Sequence, residues 1–273
     1  MTSRLKSGAC ALVISGALLS ISAPAIAGET HQLSGDFAPF DDCPLQNPAV
    51  ALCMVAKITA GELVVGRRKV PIGKPLEIQA GLVETTRLNE YTFAAAEDGN
   101  TLSKTTLSIP GGLTGTNTPA RATAAGAVVE LAKSPASVRI DIPDLIFGEH
   151  SGLELPLKVK LNSPTLGSSC YIGSSSDPLM LNLVTGKTSP PLPNRPIEGS
   201  FGQLTETVTE VSIIKDSWLV DNSFGAPAVT GCPESRSPMV SLALGVPSAA
   251  GRNTAILTSD IELVNAEAVR VSE

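Results

Sequence analysis

The sequence predicts an all-β, β-sandwich-like protein of one or two packed antiparallel domains held by disulfides. Three observations predict it. Apolar residues alternate with polar ones at a period of two, most clearly in LELPLKVKL at 153–161, and that period belongs to strands with one buried and one wet face. Glycine and proline, 24 and 21 residues, punctuate these runs and read as turns. Aromatics are only 3% of the chain, so the core must be built from aliphatic and small side chains.

The elements follow in chain order. Arg4 and Lys6 precede an apolar run from about Ala9 to Ile21, and Ala25-Ile26-Ala27 supplies a small-residue cleavage pattern before Gly28. This is the three-part layout of a secretory signal peptide, residues 1–27, too short to span a bilayer comfortably. Cys10 falls in the discarded segment. No later apolar stretch approaches the roughly 20 residues of a spanning helix, so no membrane span is expected after cleavage. The remaining 246 residues carry 18 basic and 26 acidic side chains, a net charge of −8. That balance disfavours nucleic acid as a partner, because its binding normally requires a basic face.

Beyond the signal, a β region over 28–150 and a second over 151–273 are separated near Gly148–Gly152, with one continuous domain as the alternative. VALCMVAKIT (50–59) and ELVV (62–65) flank Ala60-Gly61 and read as a hairpin. Gly66 to Lys69 turns into VPI at 70–72. EDGN at 97–100 is a turn, and SIPGGLTG at 108–115 is a loop. Thr118 and Pro119 could open an alanine-rich helix, but AVVELA at 127–132 also reads as a strand beside VRIDI at 138–142, and the strand is preferred. In 153–161, Pro156 lacks a ladder donor and marks an edge strand or a bulge. TSPPLPNRP at 188–196 is an extended connector, TETVTEVSI at 205–213 a strand, Trp218 an apolar anchor in a strand, and AILTSDIELV at 255–264 a late strand.

Four cysteines remain after the signal: Cys43, Cys53, Cys170 and Cys232. An even count in an exported chain argues for two disulfides. Three pairings exist; the nearest-neighbour one, Cys43–Cys53 and Cys170–Cys232, is preferred. There is no C-x-x-C pair, and His31 and His150 lie far from any cysteine in sequence, so neither a metal nor another cofactor is expected.

GSSCYIGSSSDP at 167–178 has the residue types of a nucleophile loop. Serine chemistry needs a base and an orienting acid, which here means Ser174 with His150 and Asp177 or Asp221. No G-x-S-x-G elbow occurs, and turn composition explains the same residues. The pairs Asp41/Asp42 and Asp141/Asp144 have the type required for glycoside hydrolysis, but Trp218, Tyr91 and Tyr171 are scattered, and solvated turn aspartates explain both pairs. No calcium loop, phosphate loop or dinucleotide fingerprint appears.

FAPFDDCPLQNPAVALC (37–53), LKVKLNSPTLGSSCYIGSSSDPLMLNLVTGKTSPPLPNRPI (157–197), WLVDNSFGAPAVTGC (218–232) and LGVPSAAGRNTAIL (244–257) together resemble a family of uncharacterised secreted proteins of high-GC Gram-positive bacteria. The resemblance implies export and carries no catalytic residue, ligand or cofactor. The expectation is therefore a secreted, non-enzymatic structural or binding protein of the cell envelope or extracellular space, with a partner the sequence does not specify. Two alternatives stand beside it: an envelope hydrolase using His150 with a serine or carboxylate, and a β-sandwich carrier of a hydrophobic ligand in an apolar pocket.

Overall fold

The computed structural model describes residues 33–113, 125–147 and 152–272. The signal segment 1–27, both histidines and the Thr118 helix start lie outside the described residues. In chain order the strands are β1 (Val50–Val65), β2 (Arg68–Pro71), β3 (Leu76–Glu84), β4 (Glu90–Ala95), β5 (Thr106–Ser108), β6 (Gly126–Leu131) and β7 (Arg139–Asp141), then β8 (Leu153–Asn162), β9 (Tyr171–Ile172), β10 (Leu179–Leu183), β11 (Gln203–Glu206), β12 (Ser212–Asp221), β13 (Val229–Thr230) and β14 (Thr254–Asn265). Among the described residues there are also three short α-helices, α1 (Ile142–Phe147), α2 (Ser237–Leu244) and α3 (Ala266–Arg270), and two 3-10 turns at Gly35–Phe40 and Pro135–Ser137. The chain is all-β with antiparallel pairing throughout.

Strands from both sides of residue 150 share the sheet. β1 lies between β3 and β14, and β8 pairs with β6 and β7 on one side and with β10 and β9 on the other. Following neighbours gives β12-β14-β1-β3-β4-β7-β8-β10. Val184, just past β10, then bridges back to Val220 of β12, with N–H···O bonds of 3.0 and 2.9 Å in both directions. The eight strands thus close into a ring. Its interior is aliphatic: Met54, Ile58, Ile78, Ile140, Leu153, Leu155, Leu183, Leu219, Leu257 and Ile261 are all buried there.

Several sequence expectations are corrected. The hairpin at Ala60-Gly61 is absent, because β1 runs on through it. A register shift between Ile58 and Ala60 absorbs one residue. Gly61, at φ +123°, lets the Ile256 carbonyl approach to where a Cβ would sit, 2.1 Å from its ideal position, so glycine here serves close backbone contact rather than a turn. The turn comes later, at Gly66-Arg67, and returns the chain as β2. The 205–213 run is not one strand but the β11–β12 hairpin. Thr207 Oγ1 accepts the N–H of Thr209 and of Val211, and Glu210 takes φ +62°, which is turn chemistry a threonine hydroxyl supports.

Pro156 sits in neither an edge strand nor a bulge. β8 is internal, and Pro156 pairs with Met180. Its carbonyl accepts from Ala132, and in extended backbone the N–H position points to the same side. That side is where β7 pairing ends at Glu154 and β6 pairing begins at Leu157, so the missing donor falls in a gap between two partners. Lys158 is likewise a cross-strand partner, 3.4 Å from Glu130 and over the Tyr171 ring. Trp218 is half exposed and is not a core anchor. Asp216 (φ +55°) lies in a bulge between Ile214 and Ser217 that shifts the inward parity of β12. Ser217 and Leu219 therefore point in, and the indole points out.

A second cluster lies outside the ring, over β1 and β14. Phe40, Cys43, Leu45, Val50, Cys53, Val264 and Val269 pack together there. Arg270 fastens α3 to this layer by donating to the carbonyls of Leu45, Asn47 and Val50 at 3.1 Å each. Disulfides join Cys43 to Cys53 and Cys170 to Cys232, with sequence separations of 10 and 62.

Two predictions follow from this packing. Replacing Cys170 and Cys232 together by alanine should lower unfolding free energy by about 4 kcal/mol, since the bridge closes the longer loop, against about 3 for Cys43 and Cys53. Denaturant titrations of the two double variants read that order. Ser259 is fully buried among apolar side chains with no partner for its hydroxyl, so Ser259→Ala should raise stability by about 1 kcal/mol. An unchanged or lower denaturation midpoint contradicts this.

Candidate functional site

The alternation that buries one face of each strand leaves a polar row on the other. Ile140, Leu153, Leu155, Leu181 and Leu183 face inward, so Arg139, Glu154 and Asn182 face outward. Register sets them side by side: Arg139 opposite Glu154, and Glu154 opposite Asn182. This row floors an open cleft of about 540 Å³. Arg87 and Glu90 flank it from the β3–β4 turn, Asp141 and Asp144 from β7 and the start of α1, and Lys187, Thr188, Ser189 and Ser223 from the chain after β10 and β12.

The groups in the cleft differ in how far they are engaged. Arg87 Nη1 donates to Glu90 Oε2 at 3.0 Å, and Thr85 Oγ1 donates to Glu90 Oε1 at 2.9 Å. Asp141 Oδ1 accepts the Asp144 N–H at 3.0 Å, which caps the first turn of α1. Thr188 Oγ1 accepts from Ile197 N and donates to Ile197 O. Arg139, Lys187 and the Asn182 amide are exposed.

Beneath the cleft lies Asp221, 1% exposed. Its Oδ2 accepts the Asn182 N–H at 2.8 Å, and its Oδ1 accepts the Ser223 N–H at 2.7 Å. Burial pushes its carboxyl above the ordinary 3.8, and the two backbone donors only partly offset that. The carboxylate ties β10 to the end of β12 beside the Val184–Val220 bridge.

No family model, curated protein or solved structure matches this chain.

Of the nucleophile constellation only the serine and the acids fall among the described residues. Ser174 and Asp177 do meet, but as a turn: Ser174 Oγ accepts the Asp177 N–H at 3.1 Å, and Ser174 N donates to Asp177 O. Asp221, the other acid considered, has both oxygens on backbone donors. His150 lies outside the described residues. Of the carboxylate pairs, Asp141 and Asp144 come together in the cleft, whereas Asp41 Oδ1 accepts the Leu33 N–H and Asp42 lies beside Asp98. Among the described residues no cluster of His, Cys, Asp or Glu is arranged to hold a metal. Two internal apolar voids among the described residues are about 20 Å³ each, room for roughly one water rather than for the several hundred Å³ of a lipid-like ligand.

Arg139, Glu154 and Asn182 were not singled out as site residues from sequence. The available signal was their shared place as polar residues in alternating runs. Their alignment required the register.

The position of Asp221 makes stability depend on pH. Its folded-state pKa is raised, so between the ordinary carboxylate value and the raised one the folded chain keeps a proton that the unfolded chain has lost. Its contribution therefore falls as pH rises through that interval. Denaturation at stepped pH should show wild type losing more stability than Asp221→Asn from pH 4 upward, and parallel profiles would contradict the assignment.

Proposed function

We propose that this chain is an exported, non-enzymatic binding protein of the cell envelope or extracellular space that takes a polar ligand in the cleft over Arg139, Glu154 and Asn182. The cleft itself carries the reading. A volume of about 540 Å³ is in the range of small-ligand sites, and its lining mixes cations, carboxylates, an amide and hydroxyls on rigid strands. Export is supported by the signal-like N-terminus, by two disulfides, which persist in oxidising compartments, and by the resemblance to uncharacterised secreted proteins of high-GC Gram-positive bacteria. No helix among the described residues is long and apolar enough to cross a membrane. A close-packed ring interior favours this outer cleft over an internal hydrophobic chamber.

A thermal-shift screen of amino acids, short peptides and saccharides tests the reading. A true ligand at a hundred times its Kd should raise Tm by roughly 5–10 °C, and the shift should vanish in the Arg139→Ala/Glu154→Ala double variant. Both side chains project outward, so that variant should keep the fold. A shift that survives in it, or no shift with any compound, removes the proposal. Conversion of the ligand to product would replace binding by hydrolysis.

A further inference from the structure

We infer that the ligand of this cleft is a zwitterion of the amino-acid or short-peptide class, its carboxylate held by Arg139 and Lys187 and its ammonium by Glu154. The inference rests on the cleft being the binding site.

The fold leaves some charges of the cleft open and closes others. Arg87 and Glu90 neutralise one another at 3.0 Å. Asp141 caps α1 through one oxygen. Among the described residues, Arg139, Lys187 and Glu154 enter no ion pair or side-chain hydrogen bond, although Arg139 and Glu154 stand directly opposite on β7 and β8. Lys158 and Glu130 close such a pair across β8 and β6, whereas Lys57, opposite Asp260 and Glu77, forms no ion pair with either. Two cations and one carboxylate therefore face the same 540 Å³ space with their hydrogen-bonding capacity available.

The sign pattern then selects the ligand. A dianion would meet Arg139 and Lys187 but also Glu154, Asp141 and Asp144, and a simple cation would meet the reverse conflict; like charges brought together cost specificity. A neutral sugar would cover three charges without pairing them, at the cost of their desolvation. A molecule with a carboxylate and an ammonium a few bonds apart pairs both kinds at once, and a planar guanidinium suits a carboxylate by bidentate donation. The Asn182 amide, next in the row, is placed to accept from or donate to a peptide group between the two ends.

Calorimetric titration of the full chain with dialanine, N-acetyl-dialanine and dialanine amide tests this, with a neutral disaccharide as control. Blocking either end should weaken binding at least tenfold. Arg139→Ala combined with Lys187→Ala should abolish the distinction between acid and amide, whereas Glu154→Gln should abolish that between free and acetylated amine. Equal binding of blocked and free dipeptides, or disaccharide binding in their place, overturns the zwitterion while leaving the cleft as the site. Cleft-dependent binding of none of them overturns the zwitterion, and a thermal-shift screen that is also blank overturns the cleft as the site.

Discussion

The short bridge between Val184 and Val220 is the junction on which the rest of the structure depends. Its two hydrogen bonds join the first and last strands of the eight and remove what would be two open edges facing each other. Beside it, Asp221 accepts backbone N–H groups from Asn182 and Ser223. A buried carboxylate without a cation is costly unless it is hydrogen-bonded, and here those bonds fall where β10 meets β12. Closure also fixes the outer surface, because once the ring is set every outward side chain has a defined neighbour.

The closed ring tolerates local irregularity by placing it where pairing is already interrupted. Pro156 occupies the gap between β7 and β6. Gly61 lets β14 pass close beside a bulged β1, and the bulge before Ser217 trades an indole for a serine on the inner face. In each case an extra residue or a missing donor is absorbed without breaking the ring, as bulges in strongly twisted sheets commonly allow. The disulfides act away from the junction. One holds the N-terminal layer over β1, and the other ties the loop before β9 to the chain after β13.

Turn chemistry at α2 shows how a polar cleft differs from polar packing. Arg67 lines a second, larger cleft, but its donor, like that of neighbouring Arg68, goes to the carbonyls of Leu242 and Ala243 at the C-terminus of α2, where cations complement the helix dipole. Those arginines serve the fold. In the cleft over β7, β8 and β10 the comparable inventory leaves charges of both signs open, and that difference separates a binding surface from a capping network.

Much of this was legible in the sequence. Period-two alternation located β7 and β8 and the inward side of each, because burial demands it residue by residue, and marked β14 as a late strand. Cysteine number in an export context pointed to two bridges. The runs VRIDI and LELPLKVKL each showed outward polar residues, Arg139 and Glu154 among them. What only the tertiary structure decided was which of these met. Register between strands distant in sequence aligned Arg139, Glu154 and Asn182. Hydrogen bonding between two valines 36 residues apart closed the ring, and bulges reversed the parity that put Trp218 outside. Local pattern constrains each strand's faces; pairing across the sheet is a long-range choice settled by the sum of contacts, and the site exists only at that level.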